Sequence, residues 1–154
     1  MQIELLSDHT HLIDRIARVH FEQWGILTGA DSIEEYRVFL EGACTLSSLP
    51  LVTVALRDGV FLGSASVISC DMDIRKELTP WLAQVYVLEE WRGQGVGAAL
   101  VNKASEYANR LGFQAMYLYT SGTLPHFYQN LGWIIRETAF YLGKERTIME
   151  RGLV

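Results

Sequence analysis

The stretch EEWRGQGVGAAL, residues 89–100, sets an arginine and three alternate glycines between an apolar run and a helical pattern. Glycine lowers helix propensity by about 1 kcal/mol relative to alanine. Three of them at a helix start therefore serve something other than helix stability. A helix N-terminus leaves several N–H groups unpaired and carries partial positive charge. Phosphate is a natural partner for such an end. Without Cβ atoms the backbone can approach an anion closely and adopt positive φ. Arg92 adds a cation with bidentate geometry for phosphate oxygens. Arg-Gly-x-Gly-x-Gly after a strand and before an apolar helix predicts an anion site, against the plainer reading of a turn beside a solvated arginine.

The kind of phosphate ligand follows partly by elimination. A P-loop needs G-x-x-x-x-G-K-[ST], and the chain has no Gly-Lys-Ser/Thr. Gly93, Gly95 and Ala98 do fit the G-x-G-x-x-A form of the dinucleotide fingerprint. Against a dinucleotide-binding protein stand the mid-chain position and the absence of an acidic residue after the next strand. Only one further strand–helix step follows, too few for a doubly wound sheet.

Outward from the loop, the coarse pattern is regular. Residues 3–6 are a short apolar run, read as a strand. Residues 10–24 show helical spacing in Leu12, Ile13, Ile16, Ala17, His20 and Trp24. Asp31 or Ser32 can cap a second helix with Glu34 and Glu35 in its first turn and an apolar side of Val38, Phe39 and Ala43. LVTVALRDGVFLGSASVIS, residues 51–69, is two β-rich runs around Asp58-Gly59, a strong hairpin signal. Residues 70–80 read as a loop and residues 81–88 as an apolar strand in which only Gln84 is polar.

From Gly95, an apolar helical face runs through Val96, Leu100, Val101, Ala104, Tyr107, Ala108 and Leu111, with Gly112 suited to the C′ position. Residues 113–120 read as a strand. Residues 124–131 read as a short helix with Pro125 in its first turn. Two final strands join around Gly143-Lys144. The order β-α-α-β-β-β-α-β-α-β-β predicts an α/β (α+β) fold with a mixed sheet. Its central β-α-β step should be parallel.

Length and composition bound the rest. A chain of 154 residues predicts a single domain, residues 1–154, with a core that needs no disulfide or metal. The net charge of −5 argues against broad nucleic-acid or anionic-membrane binding. The two cysteines, Cys44 and Cys70, lack CxxC spacing and lie among apolar residues. They read as buried free thiols in a reducing compartment. No secretory leader pattern opens the chain, and no apolar run approaches the ~20 residues of a membrane span. These features predict a cytoplasmic protein. His9, His11 and His20 lie near one another in sequence without a Cys, Asp or Glu to complete a ligand set, so no metal site is expected.

Two motifs together carry a family resemblance. VYVLEEWRGQGVGAAL, residues 85–100, resembles the signature of the GNAT (Gcn5-related) N-acetyltransferase superfamily. Its [Q/R]-x-x-G-x-[G/A] core is matched by Arg92, Gly95 and Gly97. HFYQNLGW, residues 126–133, resembles the family's F-Y-x-x-x-G-[F/W/Y] segment, with Tyr128 as the tyrosine. The resemblance is most specific over residues 81–133 and weak before residue 51.

It implies a mostly antiparallel sheet of about seven strands flanked by about four helices, and acetyl-CoA as cosubstrate without a metal. Arg92, Gly93, Gln94, Gly95, Val96, Gly97 and Ala98 would then bind the coenzyme A pyrophosphate. Val85, Tyr86 and Val87 would pair with the pantetheine arm. That strand would also offer an N–H to the acetyl carbonyl, and in the family it carries a bulge and splays from the next. Ser121 departs from an asparagine that many relatives carry seven residues before the tyrosine. A homodimer is compatible with the family, although no interface is marked in the sequence.

Direct transfer from a thioester to an amine needs a deprotonated nucleophile, an oxyanion donor and a proton for the leaving thiolate. A lysine amine titrates near about 10.4 and an α-amine near about 8. The resemblance gives Tyr128 the role of acid. The base is open. Asp71, Asp73 and Glu77 lie in the loop before the cofactor strand, and Glu22 lies late in the first helix. Each could serve the acceptor side or simply be solvated. The acidic loop and net charge mildly favour a cationic acceptor, namely a small-molecule or peptide amine. The rival readings are a non-catalytic acyl-CoA sensor on the same fold and the dinucleotide-binding protein.

Overall fold

The first hairpin forms where the sequence marks it, and the second turns one residue earlier than Gly143-Lys144. β2 (Leu51–Arg57) turns into β3 (Val60–Ile68) through Asp58 and Gly59, both at positive φ. β6 (Ile134–Tyr141) turns into β7 (Lys144–Gly152) through Leu142 and Gly143, again both at positive φ. Two such residues in succession give the twist that an antiparallel pair needs. The computed structural model describes residues 1–30, 32–44 and 48–153. Asp31, one of the two candidate caps, lies outside them.

The remaining elements are β1 (Gln2–Leu5), α1 (Ile13–Thr28), α2 (Ile33–Gly42), β4 (Trp81–Val87), α3 (Val96–Arg110), β5 (Ala115–Thr120) and α4 (Leu124–Gln129). One seven-stranded sheet runs in the order β1-β2-β3-β4-β5-β7-β6. All neighbours are antiparallel except β4 and β5. The α3 crossover between them makes that pair parallel, as the β-α-β step predicts.

Helices cover both faces, which is why β2 and β3 are apolar nearly throughout. Leu51 and Ala55 face α3 with Leu62, Val96, Leu100, Val101 and Ala104. Val52, Val54 and Leu56 point the other way, into a core with Ile13, Ile16 and Leu40 of the first two helices. A third core gathers Met72, Leu78, Trp81 and Ile148 beneath the loop that precedes β4.

Three expectations need correction. The apolar face of α2 is Tyr36 and Leu40, continued by Ala43, at i, i+4 and i+7, with Phe39 half-buried at its edge as expected, whereas Val38 is 59% exposed. The spacing of Val38 from Ala43 lies off that stripe. α1 continues past Trp24 to Thr28 and ends at Gly29 in the left-handed region. The cysteines are free but not both buried: Cys70 is exposed and Cys44 half-buried. Cys70 lies beyond the end of β3, where the continuous burial of that strand has stopped.

The sheet opens at its centre. Only Trp81 and Tyr117 pair between β4 and β5. Further along, Gln84 takes φ 55, and the register against β3 jumps from Ser66↔Ala83 to Ser64↔Tyr86. Gln84 and Val85 thus stand opposite the single residue Ala65, a β-bulge, which bends its strand and increases twist. The Ser66 hydroxyl donates to Gln84 Oε1 at 2.7 Å and holds the bulge from the neighbouring strand.

Gly63 fits this bend. A β-carbon there would lie 2.5 Å from the Tyr86 carbonyl oxygen, a backbone atom that cannot swing aside. Gly63→Ala is expected to destabilise the protein by about 1–3 kcal/mol, the usual cost of overpacking, read as a lower urea midpoint at an unchanged slope. A midpoint equal to the wild type would show that the bulged strand yields freely.

Candidate active site

The glycine loop is built as its composition suggests. After β4, Leu88 is anchored through its N–H to the Leu62 carbonyl, and a 3₁₀ turn covers Glu89–Trp91. Gly93 and Gly95 have φ of 72° and 85°. Gly95 is the N-cap of α3, with no side-chain cap. Among the described residues, the amides of residues 93–98 donate to no backbone carbonyl, and the first such bond runs from Ala99 to Gly95. The helix end therefore presents a cluster of free N–H groups, the arrangement that favours an anion.

Arg92 is exposed, but it is not loose. Its Nε donates to the Val87 carbonyl at 2.8 Å, and its guanidinium lies 5.3 Å from the Tyr86 ring centroid. Gln94 Nε2 donates to the Glu90 carbonyl. Both side chains brace the loop from within, and the amides stay open.

Gly95→Ala is expected to cost about 1–2 kcal/mol in the left-handed well. Relaxation out of that well would turn the amides away. The expected result is an about tenfold weaker coenzyme A affinity by calorimetry, equivalent to about 1.4 kcal/mol. Equal affinity would remove the loop amides from binding.

A cleft of about 250 Å³ passes through the opened sheet. Leu82, Ala83, Gln84 and Val85 of β4 line one side, and Leu118, Tyr119, Thr120 and Ser121 the other. Trp24, Thr28 and Tyr36 close it from the α1–α2 face. Residues 84–87 are only half-buried, and along β5 their edge pairs with no strand among the described residues. An unpaired strand edge inside a cleft is a template for an extended ligand.

Tyr128 lines the same cleft from α4. Its ring packs edge-on against Phe127 and Trp133, and only 8% of the residue is exposed. Burial pushes its phenol up to about 12, so it keeps its proton at neutral pH.

Asp71 also lines the cleft, half-buried, and burial pushes its carboxyl up to about 7. Asp73 and Glu77 are exposed and stand outside the lining. So is Glu22, whose helix turns His20 and Trp24 inward and leaves Glu22 in solvent. The structure thus brings together Tyr128, Val85 and Asp71, with Tyr86 and Val87 continuing the open edge, and leaves Glu22 and Asp73 apart.

Gln84 and Arg146 are among the lining residues that the sequence reading of the site missed. Gln84 is the lone polar residue of an apolar strand, a visible but unspecific sign. Arg146 shares a strand face with Ile148 and is 5% exposed. A charged residue on the apolar face of an alternating strand was its only trace.

His20 is buried in the α1 core, with Nε2 3.3 Å from Ser64 Oγ, and burial lowers its pKa to about 4. It is a neutral packing group. Among the described residues no cluster of three or more His, Cys, Asp or Glu side chains could hold a metal ion. No helix among them is long and apolar enough to cross a membrane.

The acetyltransferase (GNAT) family model matches residues 13–133. The chain belongs to the GNAT acetyltransferase family. It is thus an acyltransferase by family, and its architecture agrees. An aminoglycoside 6′-N-acetyltransferase crystallised with coenzyme A superposes with a TM-score of 0.78 at 18% identity, covering 100% of this chain and 98% of that one. A Salmonella typhimurium protein, yncA, crystallised with its cofactor acetyl-CoA, gives 0.73 at 19% identity, with 100% and 94% covered. The ribosomal-protein-alanine N-acetyltransferase of Brucella melitensis gives 0.77 at 16%, with 99% of each chain covered. These likenesses are likenesses of fold. No curated protein matches the chain by sequence.

Proposed function

We propose that this GNAT protein transfers an acetyl group from acetyl-CoA directly to a primary amine of a small molecule or peptide. The observation that carries the reading is the open edge of β4 at residues 84–87. It faces Tyr128 across the cleft and leads at its far end to the free amides of residues 93–98. The pyrophosphate would sit on those amides, and the pantetheine would lie along Val85–Val87 as an added strand. An N–H of that segment would bond the acetyl carbonyl, where charge develops in the transition state.

The chemistry balances within the cleft. The ammonium of the acceptor loses a proton to Asp71, directly or through water. The freed amine forms the N–C bond, its nitrogen gives up a second proton to solvent, and the tetrahedral intermediate expels the thiolate as the C–S bond breaks. Tyr128 gives that sulfur its proton and regains one from solvent. Asp71 suits the base role because it is poised near neutrality, where proton transfer works best. The free thiols of Cys44 and Cys70 fit a reducing compartment, and the reading places the protein in the cytoplasm.

The test is thiol release from acetyl-CoA over a panel of amines, with the acetylated product identified by mass spectrometry. Turnover with at least one amine is expected. Coenzyme A binding without turnover of any amine would favour the acyl-CoA sensor instead. Thermal stabilisation by NAD alone, without any by coenzyme A, would sink the acetyl-CoA reading.

A further inference from the structure

The acceptor end of the cleft contains a buried cation without a counter-ion. Arg146 Nε donates to the Tyr141 carbonyl at 2.9 Å and Nη2 to the Leu142 carbonyl at 3.2 Å. The guanidinium lies 5.7 Å from the Tyr119 ring centroid. Three contacts thus fix its plane. Among the described residues Arg146 makes no ion pair, and Nη1 has no protein acceptor. Nor is that atom sealed away, since it is absent from the buried polar atoms without partners, and Arg146 lines the cleft. Nη1 is therefore left with donor capacity that no protein group uses among the described residues.

A desolvated guanidinium answered only by two carbonyls is costly, and an incoming anion offsets that cost. Carboxylate matches the Nη1–Nη2 edge in geometry. Asp71, the only carboxyl among the lining residues, leaves Arg146 unpaired and serves the amine instead. One carboxyl beside one guanidinium suits a zwitterion and disfavours a polycation.

We infer that the acceptor is a small amino-carboxylate, an amino acid or close analogue, whose carboxylate is held by Arg146 with its amine toward Val85 and Tyr128. This rests on the acetyl-transfer reading and replaces the cationic acceptor that the net charge suggests. It also separates this protein from an enzyme for aminoglycosides.

The experiment compares free amino acids with their carboxamides, with the decarboxylated amines, and with an aminoglycoside and a polyamine, all against acetyl-CoA. For the best amino acid, kcat/KM is expected to exceed that of its carboxamide by about thirtyfold or more. In R146Q the preference should collapse. Because Arg146 also braces the β6–β7 turn, the wild-type comparison is decisive even if that variant fails to fold.

Equal or faster turnover of carboxamides or polycations by the wild type overturns the inference. If no amine is acetylated, the acetyl-transfer reading fails separately. Calorimetry on the coenzyme A-loaded protein then judges this inference alone. Tighter binding of the amino acid than of its amide upholds it, and equal or absent binding overturns it.

Discussion

Tyr128→Phe is expected to lower kcat by about a hundredfold or more while leaving coenzyme A affinity within about twofold. General acid catalysis contributes about 10²–10⁴ in rate, and the substitution removes only the donor oxygen. The phenyl ring keeps its edge contacts with Phe127 and Trp133, so the core behind the cleft is undisturbed. With the phenol pushed up to about 12, the hydroxyl is protonated at every pH an assay would use. Its loss should therefore scale the whole pH profile downward without moving a limb. Single-turnover rates with saturating acetyl-CoA, set beside a calorimetric Kd, make the measurement. An unchanged single-turnover rate would remove Tyr128 from the acid role.

Asp71→Asn is expected to be both slower and more stable. As the base, ionised Asp71 makes the wild-type kcat/KM rise with pH and level off above about 7. In the variant that limb disappears, and the rate falls by about 10²–10⁴.

The stability effect has a definite sign. Burial raises the carboxyl from 3.8 to about 7, so the folded state binds more proton than the unfolded state across that window. Stability is therefore lost as pH rises from about 4 to about 7, by up to about 4 kcal/mol. Asparagine carries no such penalty. Urea midpoints of the two proteins should be nearest at pH 4 and diverge in favour of the variant by pH 8. A variant no more stable at pH 8 than the wild type would mean that the native carboxyl ionises without cost. An intact rising limb in the variant would assign the base elsewhere.

Much of this site was readable before any coordinates. Glycines at 93 and 95 announce positive φ because few other residues adopt it cheaply, and both positions have it. Tyr128 was marked by the residues around it, and the parallel step by a helix between two apolar runs. The bulge was not readable. Nothing about glutamine predicts φ 55, and Gln84 holds it because Ser66 on the next strand binds its side chain. Local pattern also failed where two spacings compete. Val38 outweighs Tyr36 in hydrophobicity, yet the packing of α2 buries Tyr36 and Leu40 and leaves Val38 exposed.

The family, the element order and the glycine-rich loop with its positive φ are legible in the sequence, because each depends on residues close together in the chain. The acceptor end was decided by tertiary structure alone. There Asp71 from one loop, Trp24 and Tyr36 from two helices, and Arg146 from the last strand converge on one cleft. The same carboxylate that is solvated at Glu22 and Asp73 is drawn into the cleft at Asp71. Desolvation makes that difference, and desolvation depends on what the rest of the chain places around a residue.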